Sequence, residues 1–428
     1  MKKILVITYY WPPSGGAGVQ RWLKFVKYLN YFNIEPIVIT VIPEYAAYPK
    51  IDKSLENDIK PCLRIYKTKA INYYRFFQLL AFKREIPDAG FAKVKEVTFF
   101  EKIVRFLRSN IFIPDPRKGW NYFAIKEAEK IINSEKIDTI ITTSPPHSTQ
   151  LIGLKLKKKY KLKWVADLRD PWTDIYYYKE LYHSFISKNI DKKYEKKVIE
   201  KADKIITVSE NLKNIFLSKV NIINSEKIHT IPNGFDDEDF QVTDIKKDAE
   251  FVITYTGSIT KEYPTSVFIK AFKQNLKNGF NIKLKFIGDI HEKLKDEILK
   301  EGLSKFVEFY QYMNHYEIIK FLLRSSAFLL IIPKTRNNEC ILTGKLFEYI
   351  GASRPIIGLG PVNGDAAKII KENNFGKVFD YEDFENLSKF INDLVLNKFN
   401  YPINYDLNLK YSRKNLTEKL SKILLEEY

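Results

Sequence analysis

The stretch Pro333–Gly358, PKTRNNECILTGKLFEYIGASRPIIG, sets a polar loop, a Gly-Lys turn, a short amphipathic helix and a buried strand in immediate succession. Leu346, Phe347 and Ile350 fall at helical spacing on one face, while Lys345 and Glu348, three apart, share another. Thr343 and Gly344 precede the helix, where unsatisfied backbone N–H groups and the positive end of the dipole favour a phosphate. Lys345 adds a point charge within one residue. Glu348, one turn further in, is then placed for a sugar hydroxyl. Taken alone, the same pattern also describes a surface helix carrying an ordinary Lys–Glu pair.

Outward from this segment the chain alternates strands and helices. Ile4–Thr8 reads as a buried strand, Val19, Trp22, Leu23, Val26 and Leu29 as the apolar stripe of a helix, and Ile37–Val41 as a second strand. The intervening PPSGGAG has glycines that let backbone approach a ligand at the carboxyl end of a parallel sheet. A dinucleotide fingerprint is not expected, since Arg21 stands where a small residue is needed and Thr40 or Val41 where a carboxylate is needed. The rhythm returns with Thr139–Thr143, a helix from Ser148 to Tyr160, Trp164–Asp167, a basic helix through Lys188 to Ala202, and Ile205–Val208. SPPHS puts His147 directly after one strand, and DLRDPW puts Asp167, Arg169 and Asp170 after the next, both at the expected crevice edge. A loop histidine and a structural ion-pair knot are the competing readings.

From Ala70 to Trp120 the chain turns aromatic and basic. Within VTFFEKIVRFLRSNIF, Phe99, Phe100, Ile103, Val104, Phe106 and Leu107 alternate with Lys102, Arg105 and Arg108, a pattern shared by membrane-surface helices and by helices packed on their own domain. The second half restarts with Phe251–Thr256, followed by Gly257, Ser258 and Lys261, then Ile282–Ile287 ending in Gly288 and Asp289. Val307–Tyr312 reads as a strand, Glu317–Leu323 as a helix, Phe328–Ile332 as a buried strand and Leu416–Leu425 as a last helix. Asp237 and Asp239 form an Asp-x-Asp in a boundary loop, where no metal site is expected.

Six segments in fixed order, SGGAG from Ser14, FIPDPRKGW from Phe112, TTSPPHS from Thr142, WVADLRDPW from Trp164, IPNGFD from Ile231 and YTGS from Tyr255, together with the Lys345–Glu348 helix, resemble the retaining GT-B glycosyltransferases of family 4. The resemblance implies an α/β fold of two Rossmann-like, doubly wound domains facing a cleft. Residues 1–238 would form the acceptor domain and 239–405 the nucleotide-sugar domain, with 406–428 packing back on the first. It implies that Glu348 binds the nucleotide ribose. Cys340 occupies the place of the family's upstream acidic residue, which leaves Glu339 as the neighbouring candidate. Gly257, Ser258, Lys261, Gly288, Thr343, Gly344 and Lys345 are assigned to the donor, Tyr312 or Met313 to its base, and Gly15 and Gly16 to the loop facing the diphosphate and the acceptor. Where the family often carries a catalytic-region His, this chain has Arg169 or Asp170, so Asp170, His147 and Arg169 are the catalytic candidates.

The activity implied is transfer of a sugar from a nucleotide-sugar, UDP- or GDP-linked foremost, to a hydroxyl of a lipid-linked or cell-surface glycan precursor. Configuration would be retained, with no metal and no cofactor beyond the substrate itself. A sugar-nucleotide epimerase of the same fold and a non-catalytic nucleic-acid or lipid-binding protein are the rivals.

Composition bounds these readings. At 428 residues and 45% hydrophobic the chain can build two cored domains, and a net charge of +18 would attract phosphates or anionic lipid. Lys is spread along the whole chain, so nucleic acid is not an expected partner. Cys62 and Cys340 give neither a disulfide framework nor a metal pattern. The N-terminal apolar run is too short for a signal peptide, and no window reaches a membrane span, so the expected location is cytoplasmic, peripheral on the inner face of the membrane.

Overall fold

Continuous apolar runs make strands that are buried on both faces, and here they assemble into two parallel sheets. The computed structural model describes residues 1–73, 99–220, 225–241, 248–399 and 408–426. The aromatic stretch after Tyr73 falls on residues 74–98, outside the described residues.

Contacts divide the chain into a first unit, Met1–Pro232 with Leu416–Tyr428, and a second, Asn233–Asn415. The first holds β1 (Lys2–Ile7), β2 (Ile34–Val41), β3 (Arg64–Thr68), β4 (Thr139–Ser144), β5 (Lys163–Leu168), β6 (Lys204–Thr207) and β7 (Ile228–Thr230) in the order β3-β2-β1-β4-β5-β6-β7. The second holds β8 (Phe251–Thr256), β9 (Ile282–Ile287), β10 (Val307–Tyr310), β11 (Ala327–Ile331), β12 (Ile356–Leu359) and β13 (Gly376–Phe379) in the order β10-β9-β8-β11-β12-β13. Both are doubly wound, and the order reverses between β1 and β4 and between β8 and β11. Ligand crevices open at such points, beyond the carboxyl ends of the strands.

In the first unit the helices are α1 (Ala17–Leu29), α2 (Phe99–Ile111), α3 (Asn121–Glu135), α4 (Ser148–Lys159), α5 (Phe185–Lys201) and α6 (Glu210–Ser218). The second has α7 (Ser266–Lys277), α8 (Glu292–Lys300), α9 (His315–Arg324), α10 (Gly344–Gly351), α11 (Asp365–Glu372) and α12 (Phe384–Val395). The chain's last described helix is α13 (Arg413–Leu425). Its Leu416, Leu420 and Leu424 are buried in one cluster with Ile4, Val6 and Trp22 of the first unit, and Lys163 Nζ donates to the carbonyls of Ile423 and Glu426 at 2.7 and 2.8 Å.

Several boundaries differ from the sequence expectation. The strand expected over Val307–Tyr312 stops at Tyr310, and the helix expected from Glu317 begins at His315, where Asn314 caps it by accepting from Glu317 N at 2.9 Å. The division between the units lies at Pro232 because Phe235 bridges to Ser412, donating to Tyr411 O and accepting from Arg413 N. The other expected boundary, at 405, lies outside the described residues. Among the described residues no helix is long and apolar enough to cross a membrane.

Candidate active site

In the second unit β8 ends at Thr256 and the chain turns at Gly257, whose φ of 104° suits glycine. A Cβ at this position would lie 3.1 Å from Lys345 Nζ, so the turn and the lysine meet. Gly288, which follows β9, makes room for this turn; a Cβ there would lie 2.6 Å from the carbonyl oxygen of Gly257. Lys345 projects from the first turn of α10, donates to Tyr255 Oη at 2.7 Å and stands 4.1 Å from the centre of that ring. Burial brings its ammonium down to about 7, with Glu348 pulling weakly the other way. Thr343 caps the helix in extended conformation, and its Oγ1 is buried without a hydrogen-bond partner. Leu346 N closes the first turn of α10 by donating to Thr343 O at 3.2 Å, while the amides of Gly344 and Lys345 precede any intrahelical acceptor. A half-buried cation, a buried hydroxyl and a helix N-terminus thus lie within three consecutive residues, and a diphosphate would satisfy all three.

The opposite face of α10 is anchored. Leu346, Phe347, Tyr349 and Ile350 are buried, and Tyr349 Oη accepts from Thr256 N at 2.9 Å. Glu348, with 18% of its side chain exposed, lies one turn beyond Lys345, its Oε1 3.7 Å from His315 Nδ1. His315 Nε2 is 2.9 Å from Asp239 Oδ2. The sequence offers no signal for this chain of Asp239, His315 and Glu348. Asp239, first weighed as half of an Asp-x-Asp, is instead the partner of a histidine.

Other expected donor residues are dispersed. Lys261 is 66% exposed and pairs loosely with Glu262 at 3.8 Å, so it does not join the Lys345 cluster. Ser258 takes part through its carbonyl, which accepts from Tyr255 Oη at 2.9 Å. Tyr312 and Met313 follow the end of β10 and lead into His315. Glu339 is exposed, while Cys340 is buried with its Sγ donating to Asn337 O at 3.0 Å.

In the first unit Gly16, at φ 97°, caps α1 without a side-chain hydrogen bond, and Gly15 N donates to Lys50 O at 3.0 Å. The DLRD group is divided between roles. Asp167 is fully buried and accepts from Arg21 Nη2 at 3.1 Å, from Trp22 Nε1 at 2.7 Å and from Thr143 Oγ1 at 2.7 Å. Arg21 Nη1 also reaches Pro232 O at 2.9 Å. This is an ion-pair knot, and it explains the arginine inside α1. Arg169 donates Nε to Ser144 O and Nη1 to Gly18 O, each at 2.8 Å. Its guanidinium therefore ties the end of β4 to the start of α1, so two nitrogens of this catalytic candidate are engaged within the fold. Asp170 is half-buried beside it, and burial raises its carboxyl while Arg169 opposes the shift.

His147 stacks on Trp172 with ring centres 4.6 Å apart and planes 13° from parallel. Its Nδ1 is buried without a hydrogen-bond partner, and burial, reinforced by Lys219 and Arg169, brings the ring down to about 3, so the imidazole is neutral. Trp172 Nε1 and Tyr178 Oη both donate to Asp191, at 2.8 and 2.9 Å. A cavity of about 390 Å³ opens here, lined among others by Gly15, Gly16, His147, Trp172, Arg108 and Arg117. The fold brings His147 and the glycine loop together as expected. It adds Arg108, Asp191 and Tyr178, which only the packing of distant helices reveals.

Sequence comparison matches the description Glycosyltransferase Family 4 over residues 85–239 and Glycosyl transferases group 1 over residues 235–415. No curated protein matches the chain. Among solved structures it is similar to the apo form of the lipopolysaccharide outer core galactosyltransferase WaaB, with 12% identity, 99% of both chains covered and a TM-score of 0.60. It is also similar to Anabaena Alr3699/HepE in complex with UDP and glucose, with 13% identity, 99% of both chains and a TM-score of 0.62. A mutant of TarM from S. aureus, in complex with Fondaparinux, alpha-GlcNAc-glycerol and UDP, matches with 12% identity over 100% of both chains and a TM-score of 0.63. At these identities the structures speak for the fold, and the two adjoining sequence matches speak for the family. The chain belongs to the GT-B glycosyltransferases of the family 4-like group.

Proposed function

We propose that this glycosyltransferase takes its sugar from a nucleotide-sugar, UDP- or GDP-linked, and passes it to an acceptor hydroxyl with retention of configuration and without a metal. The observation that carries the donor assignment is Lys345, a half-buried cation brought down to about 7 beside the Gly257 turn, two residues from the unsatisfied Thr343 hydroxyl. A desolvated ammonium offset only by Glu348 is costly, and a diphosphate returns charge to it. In this reading Lys345, Thr343 Oγ1 and the first amides of α10 stabilise the departing diphosphate, and Glu348 holds the ribose. The leaving phosphate takes the acceptor proton, while neutral His147 accepts a hydrogen bond from the acceptor. UDP bound to the Anabaena and S. aureus proteins supports the nucleotide class.

The acceptor is read as a lipid-linked or cell-surface glycan precursor, reached from the inner face of the cytoplasmic membrane. One surface supports this. Ile103, Phe106, Leu107 and Ile111 of α2 are exposed, and so are Phe185 (79%) and Ile186 (71%) at the start of α5. Asn110 joins the two elements, accepting from Ser184 N at 2.8 Å and donating to Tyr182 O at 3.1 Å. Lys102, Arg105 and Arg108 lie on the same helix, a combination suited to anionic headgroups.

A thermal-shift screen against UDP-, GDP-, ADP- and dTDP-sugars tests the donor reading, because a ligand at a hundred times its Kd stabilises by about 2.7 kcal/mol. No response to any nucleotide would overturn it. Epimerised donor in the absence of acceptor would favour the epimerase rival.

A further inference from the structure

Lys345 and Glu348 stand three apart on α10, the spacing of an ordinary ion pair. The Lys345 ammonium turns instead to the hydroxyl and ring of Tyr255, and among the described residues it forms no ion pair with Glu348. The Glu348 carboxylate faces His315, with Oε1 3.7 Å from Nδ1, and the other ring nitrogen, Nε2, lies 2.9 Å from Asp239 Oδ2. All three side chains belong to the second unit and are largely enclosed, with 18% of Glu348, 11% of His315 and 19% of Asp239 exposed. One core fixes the segments that carry them. Ile319 and Leu322 of α9, Leu346, Phe347 and Ile350 of α10, and Phe235 lie in the same buried cluster, with Phe240 packed against it. Asp239 sits in the short 3-10 turn Asp237–Phe240, and Gly351 lets that turn approach α10, since a Cβ there would lie 2.6 Å from the Phe240 ring and 2.8 Å from the Phe235 ring. Asn314 caps α9 immediately before His315, which fixes the backbone from which the ring projects.

An ionised carboxylate only accepts, so the Asp239 contact places a proton on Nε2, and the imidazolium is the form that meets an acceptor at both sides of the ring. At 3.7 Å the Glu348 contact is ionic rather than hydrogen-bonded. It restrains the carboxylate and leaves both oxygens able to accept from hydroxyls. A free glutamate loses rotamer freedom when a ligand orders it, whereas one already held in place does not. We propose that His315 is a positioning residue: backed by Asp239, it aims Glu348 at the vicinal hydroxyls of the donor's ribose and so sets the preference for a ribonucleotide over its deoxy form. This rests on the reading of Glu348 as the ribose carboxylate, and it adds the residue that makes that carboxylate selective.

Calorimetric titration of the full chain with UDP and GDP, each beside its 2′,3′-dideoxy form, tests this. The wild type should bind one ribonucleotide roughly tenfold or more tightly than its dideoxy form, the effect of losing hydrogen bonds to a charged group. His315→Gln offers an amide where Nε2 stands, toward Asp239, and should lose most of that preference. His315→Asn offers one where Nδ1 stands, toward Glu348, and should keep more of it. Affinity for the dideoxy form should match the wild type in both variants, which reports an intact fold and intact diphosphate contacts. A preference that persists in His315→Gln, or one no greater in His315→Asn than in His315→Gln, would overturn the proposal. Equal loss of both nucleotide forms in the two variants would also overturn it, as the mark of a purely structural role. A wild type that binds the ribo and dideoxy forms equally overturns the ribose role and leaves the diphosphate site standing, whereas one that binds neither overturns the donor reading itself and this proposal with it.

Discussion

Replacing Lys345 by methionine should strengthen the fold and weaken the donor site together. The folded ammonium sits at about 7 and the unfolded one near 10.5, so between these values the unfolded chain binds the additional proton. Stability assigned to this residue therefore rises with pH from about 7 to 10.5, and below that window the fold bears the full cost of the buried charge. The difference of 3.5 units, at about 1.36 kcal/mol each, sets an upper bound of roughly 5 kcal/mol. Partial solvent access and the Tyr255 ring reduce it, and a gain of about 1–3 kcal/mol at pH 7 is expected for the variant. Tyr255 Oη still donates to Ser258 O, so the substitution orphans no hydroxyl. Binding should move the other way. Loss of a hydrogen bond to a charged group costs roughly 1.5–3 kcal/mol, or about ten- to 150-fold in donor affinity. Urea unfolding at pH 7 and 9.5, combined with titration of the nucleotide-sugar, measures both. The wild type should gain stability over the variant between the two pH values. A variant less stable than wild type at pH 7, or one that binds donor equally well, would refute the reasoning.

Glu348→Ala should weaken nucleotide-sugar binding by roughly 1.5–3 kcal/mol with an unchanged thermal midpoint, and unchanged affinity would remove Glu348 from the site. Asp167→Asn strips the buried Arg21 of its anionic partner and should cost about 3–5 kcal/mol in denaturant unfolding; a loss below about 1 kcal/mol would show that the knot does not hold α1. Activity should survive EDTA, and loss restored by manganese or magnesium would return attention to Asp237 and Asp239. The wild type should sediment with anionic liposomes at low salt and be released at high salt, and Phe185→Asp/Ile186→Asp should sediment less; indifference to liposomes under all conditions would leave the exposed face without a membrane role.

Local pattern alone carried much of the architecture. Phe251–Thr256 is a strand over the residues its apolar run marked, because a strand buried on both faces is largely apolar, and Ile282–Ile287 is one over the residues its alternation marked, with Lys283 and Lys285 on the half-buried face. Lys345 and Glu348 share the face of α10 opposite Leu346, Phe347 and Ile350, as helical periodicity requires. His147 after β4 and the glycine loop after β1 could be assigned to one crevice, since both follow parallel strands. Short strands such as Ile228–Thr230 and Gly376–Phe379 were not legible, having too few residues to establish a period.

What the tertiary structure decided is which of these groups have partners. Arg169 and Asp170 are adjacent in sequence, yet Arg169 is committed to the carbonyls of Gly18 and Ser144 while Asp170 is not so bound. Nothing near Glu348 in the chain announces His315, and nothing near Trp172 announces Asp191, because helices α9 and α5 bring these residues in. Periodicity specifies the face a side chain occupies within its own element. The neighbour across that face is set by strand order and helix packing, through contacts whose sequence separation no local pattern records.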